Sequence, residues 1–227
     1  MKSVSEIFGI ETGNQDLYKY ALTHSSYTKE LNLPKNQCYE RLEFLGDAVL
    51  KLTISDVLFK KYPDSREGEL SKIRSIIVSD NTLADIAKKN GLQNLIIMSK
   101  HEEKQGCRKL NSICACAFEA VLGAYYLDGK FNEVIKYIEK TFEPYIEDVE
   151  KHFVKFNAKA ILQEYTQGQT KKTPVYTVIN ETGPQHKKIF EVEVRYNDEI
   201  LAVEKGNSKK DAEQKCAYSA CQKLGII

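Results

Sequence analysis

The feature that most limits the possible folds is a change of hydrophobic period near residue 156. Before it, apolar residues recur every three or four positions, the spacing of a helix buried along one side. Val134, Ile135, Ile138, Phe142, Tyr145, Ile146 and Val149 form one such stripe, with Asn132 expected as its N-cap. Leu17, Tyr20, Ala21 and His24 form another, and Gly91 suits the end of a helix over residues 83–90. No strand is expected before residue 170. Beyond the change, residues 158–165 predict a short helix, and residues 175–180, 188–196 and 200–205 predict strands. In the second strand Phe190, Val192, Val194 and Tyr196 alternate with Glu191, Glu193 and Arg195, so one face is buried. Asn197 and Asp198 supply a turn. Ser208 can cap a last helix with Ala212, Cys216, Ser219 and Ala220 inward. The expected fold class is therefore two domains: an all-α domain over residues 1–150, then a small α+β domain of order α-β-β-β-α over residues 156–227. The charged joint between them is read as mobile or helical.

Charge divides along the same line. Residues 1–150 hold 20 Lys+Arg against 23 Asp+Glu, and residues 151–227 hold 13 against 9. An acidic domain joined to a basic one suits a cation holder joined to a polyanion binder, although ordinary surface variation also gives such totals. The composition, 42% hydrophobic and 29% charged, fits a globular chain. No apolar run is long enough to span a bilayer, and the first residues do not resemble a signal peptide, so a cytoplasmic protein with no membrane partner is expected. The six cysteines are too few for a disulfide scaffold and are expected as reduced thiols. Cys107, Cys114 and Cys116 lack zinc-site spacing.

Two acidic segments stand out. On a helix, Glu40, Glu43 and Asp47 share one face while Leu42, Leu45 and Val49 point elsewhere. Their mutual repulsion is relieved if a hard divalent cation sits among them; a solvated acidic face is the plainer alternative. Glu119 is the only charge in the small, apolar segment 111–124, where a carboxylate needs a metal or a buried Arg or Lys partner.

The segment ERLEFLGDAVL at residues 40–50 resembles the hallmark of the ribonuclease III family. ALTHSS at 21–26, EGELSKIR at 67–74 and FEAVLGA at 118–124 resemble its other motifs in the same order, and the basic tail resembles a double-stranded-RNA-binding domain, so nearly the whole chain is covered. The resemblance implies a homodimeric endoribonuclease that hydrolyses duplex RNA with Mg²⁺, for which Mn²⁺ can substitute. Products would carry 5′-phosphate ends, and the substrates would be ribosomal, messenger or transfer RNA precursors. It implies Glu43, Asp47 and Glu119 as metal ligands, with Asp47 and Glu119 the catalytic pair. Glu40 and Glu67 would line the active-site valley. In the tail it implies Gln163 and Glu164 at one minor groove, His186 at the next, and Lys209, Lys210 and Lys215 on the phosphates between. One ligand position departs from the family pattern: Cys116 stands where an aspartate is expected, and a thiol is a poor partner for Mg²⁺. The rival expectation is therefore a weakened or inactive nuclease fold that only binds duplex RNA.

Overall fold

The computed structural model describes residues 2–184 and 188–227, and the chain divides into two compact units, Met1–Glu147 and Asp148–Ile227. The first is built from α1 (Val4–Phe8), α2 (Gln15–Ala21), α3 (Ser25–Glu30), α4 (Glu40–Lys61), α5 (Glu67–Ile77), α6 (Asp80–Asn90), α7 (Lys100–Lys104), α8 (Asn111–Leu127) and the first part of α9 (Phe131–Thr170). Among the described residues it has no strand, only a single bridge between Thr23 and Ile97.

Helix α8 is apolar on all sides and accordingly central. Its Phe118, Val121, Leu122 and Tyr125 are buried, as are Leu50, Ile54 and Leu58 of α4 and Leu83 of α6, the two helices packed against it. Helices α4 and α8 approach unusually closely. A Cβ on Gly46 would lie 1.7 Å from the Glu119 carbonyl oxygen, and one on Gly123 would lie 2.2 Å from that of Leu42. Only glycine admits backbones at such distances. Helix α6 is bounded as its sequence dictates: the Ser79 hydroxyl accepts from the Thr82 amide, and Gly91 ends the helix at φ 82°.

Three expectations need correction. Helix α9 starts at Phe131, so Asn132 lies in its first turn and is not the cap; the Val134 amide instead donates to the Lys130 carbonyl. Helix α2 stops at Ala21, too early to carry His24, which caps α3 through its Nδ1. Residues 158–165 are not a separate short helix. They belong to the 40 residues of α9, which runs through the charged joint because that stretch contains neither glycine nor proline.

The second unit orders the end of α9, β1 (Val175–Thr182), β2 (Ile189–Tyr196), β3 (Glu199–Gly206) and α10 (Lys209–Lys223). The strands form an antiparallel sheet in the order β1-β2-β3. Asn197 (φ 49°) and Asp198 (φ 66°) make the tight turn that the pair predicts. Val192 and Val194 point into a core with Leu162, Leu201, Cys216 and Ala220. Ser208 caps α10, its hydroxyl accepting from the Asp211 amide at 3.1 Å. His186, between β1 and β2 in the sequence, lies outside the described residues.

Candidate active site and RNA-binding face

The close packing at Gly46 and Gly123 sets the Glu43–Asp47 face of α4 beside Glu119 of α8. Burial, followed by the charges of Asp47, Glu43 and Asp80, pushes the Glu119 carboxyl up to about 8. Among the described residues Glu119 has no ion-pair partner, so the buried Glu–Arg or Glu–Lys pair entertained from sequence does not form. Burial also raises Glu43, and Glu40, Asp80 and Asp47 add to it; a hydrogen bond from the Cys116 thiol acts in the opposite direction. Burial, followed by the same bond, pushes the Cys116 thiol up to about 12. Cys116 thus lies one helical turn before Glu119 and against Glu43, a neutral thiol among carboxylates. Cys114 points elsewhere and donates to the Arg108 carbonyl at 3.4 Å.

Two members of this group carried no signal in the sequence motifs. Asp80 begins α6, and its charge reaches Glu43, Cys116 and Glu119 at once. Lys51 lies one turn after Asp47 and pairs with it at 2.8 Å. Glu40 is exposed at the start of α4, and Glu67 is exposed at the start of α5, where it accepts from the Ser71 hydroxyl at 2.8 Å.

The donors are hard oxygens crowded to the point of mutual repulsion, which suits a divalent cation such as Mg²⁺. Asp47, however, is held by Lys51. Among the described residues no three of His, Cys, Asp and Glu stand as a ready-made metal cage.

In the second unit Gln163 and Glu164 are exposed on α9, and Lys209, Lys210 and Lys215 are exposed on α10. Lys209 pairs with Glu181 at 3.3 Å, and Lys215 pairs with Asp211 at 2.8 Å. The lysines surround the N-terminus of α10, whose free amides and dipole attract phosphate. Gly206 lets that end press onto β3, since a Cβ there would lie 2.3 Å from the Ala212 nitrogen.

Comparison with known proteins agrees with both halves. The family described as Ribonuclease-III-like matches residues 14–146, and the double-stranded RNA binding motif matches residues 158–224. The chain is 43% identical to Ribonuclease 3 of Staphylococcus haemolyticus over 223 residues, covering 98% of this chain and 90% of the relative. It is also 43% identical to that of Staphylococcus aureus, covering 96% and 90%. A solved nuclease domain of ribonuclease III from Campylobacter jejuni superposes with a TM-score of 0.57 at 36% identity, covering 62% of this chain and 94% of that one. With an all-helical unit that gathers carboxylates and an α-β-β-β-α unit that presents lysines, the chain belongs to the ribonuclease III family and is an endoribonuclease specific for double-stranded RNA.

Proposed function

We propose that the chain cleaves duplex RNA with Mg²⁺ at the Glu43–Asp47–Glu119 group, leaving 5′-phosphate ends, and that Mn²⁺ can substitute. The observation that carries this reading is Glu119, a half-buried carboxyl with no ion-pair partner among the described residues, pushed up to about 8 beside Asp47. When bound, the metal lowers the pKa of a water and neutralises charge on the phosphate. Glu43, Asp47 and Glu119 hold it. Asp47 and Glu119 would orient the reacting groups, and Cys116, at the altered position, would offer a thiol in place of an oxygen donor. Glu40 and Glu67 line the valley that receives the RNA. Gln163, Glu164, Lys209, Lys210, Lys215 and His186 hold the duplex by its shape, and residues 1–150 and 156–227 act as nuclease and binding domains.

We infer a homodimer. Phe44, Leu52 and Phe59 are 81%, 61% and 72% exposed along one stripe of α4, a costly display unless a second copy covers it. The working compartment is the cytoplasm, and the substrates are ribosomal, messenger and transfer RNA precursors. Among the described residues no helix is long and apolar enough to cross a membrane.

The experiment is cleavage of long duplex RNA in Mg²⁺ by the parent and by Asp47→Asn. The variant is expected to lose at least about a hundredfold in rate while binding RNA nearly as well as the parent. Cleavage at the parent's rate would remove Asp47 from the chemistry.

A further inference from the structure

The proposal concerns Lys51 and rests on the reading of Asp47 as a metal ligand. Lys51 stands four residues after Asp47 on α4, on the face that carries Glu43 and Asp47. Its Nζ donates to Asp47 Oδ2 at 2.8 Å. Acid before base at this spacing is the favourable order on a helix. Among the described residues Nζ has no other hydrogen-bond partner, and the two side chains are 50% and 35% exposed. The ammonium is therefore held by Asp47 alone and is free to swing out. It is also the cation whose charge reaches Glu119 on α8 and draws that carboxyl downward against its neighbours.

We propose that Lys51 is an internal competitor for the divalent cation: its ammonium is the counter-ion of Asp47, and the metal must displace it to bind. A carboxylate oxygen that accepts from an ammonium at 2.8 Å cannot give its full charge to a metal. An ammonium left in place beside a divalent ion repels it. Entry of the metal thus costs the ion pair and requires the lysine arm to move toward solvent. One of the ligands is thus occupied by a group of this chain, and the metal threshold of the enzyme is set by how readily it lets go. Lys51 is a positioning residue in this scheme, acting on the metal through Asp47.

The test is titration of the full-length protein, after removal of divalent ions, with Mn²⁺ alone, free Mn²⁺ being read by electron paramagnetic resonance. Lys51→Met is expected to bind Mn²⁺ roughly three- to tenfold more tightly than the parent, the scale of one exposed ion pair plus one removed like charge. Lys51→Arg keeps the charge and is expected to stay within about twofold of the parent. The Mg²⁺ concentration for half-maximal cleavage should fall for Lys51→Met in parallel. Asp47→Asn separates the two ideas. If Mn²⁺ binding depends on Asp47 but Lys51→Met leaves it unchanged or weaker, the competition is overturned and the metal site stands. If no Mn²⁺ binding depends on Asp47, the metal site is overturned and the competition with it.

Discussion

Glu119 carries the largest electrostatic strain of the carboxyl groups at this site, and its consequence is a dependence of stability on pH. Its carboxyl titrates near 8 in the fold, against a usual carboxylate value near 4.3 in an unfolded chain. A raised acid pKa means that the fold disfavours the charged form. The penalty is absent below the unfolded value, grows between the two values and is constant above the higher one. In the presence of a chelator, Glu119→Gln should therefore melt above the parent at pH 8, and the gap should close as the pH falls toward 4. A gap of equal size at both ends would assign the effect to packing. Cys116 has a distinct signature. Restoring an oxygen with Cys116→Asp should lower the Mg²⁺ concentration for half-maximal cleavage and shrink any advantage of Mn²⁺. Cys114→Asp, in a fully buried position, should unfold α8 without any such gain. An unchanged Mg²⁺ dependence in Cys116→Asp would place residue 116 away from the metal.

At the scale of elements, the site exists because two helices touch through glycine. Gly46→Ala would force a methyl against the Glu119 carbonyl, and neither backbone can yield without moving Glu119 or Asp47. A loss of about 3–5 kcal/mol is expected, read as a lower melting temperature together with lost cleavage. Gly68→Ala is the control, because nothing lies within 4 Å of its Cβ position and alanine is the better helix former. Gly46 stood in plain view within the hallmark segment, yet its partner contact was not legible, since a helical glycine shows only that something comes close. The strands were legible for the opposite reason. Alternation in β2 and the Asn197–Asp198 turn are local signals that set Tyr196 opposite Glu199 and Arg195 opposite Ile200; just beyond, a bulge shifts the pairing by one, so that Val194 faces Ala202. Of the two readings of the charged joint, mobile or helical, α9 takes the helical one, so residues 158–165 continue that helix instead of starting their own. Asp80 and Lys51 were missed because each joins the carboxylate group through folding or side-chain pairing and belongs to no motif.

At the scale of the whole molecule, the division of labour predicts how binding responds to salt. Lys209→Ala combined with Lys210→Ala should weaken binding to every duplex alike and lower the slope of log affinity against log salt by about one to two, because each lysine displaces counterions from phosphate. Lys209 already pairs with Glu181, which places its share at the lower end. A loss confined to particular sequences would contradict recognition by shape. The distribution of cysteines has a different consequence. Cys38 and Cys114 are sealed in the first unit, and Cys216 and Cys221 in the second. An alkylating reagent reaches them only when the surrounding structure opens, so each unit contains its own clock. The rate at which its thiols are consumed measures how often that half of the protein comes apart while the other half holds.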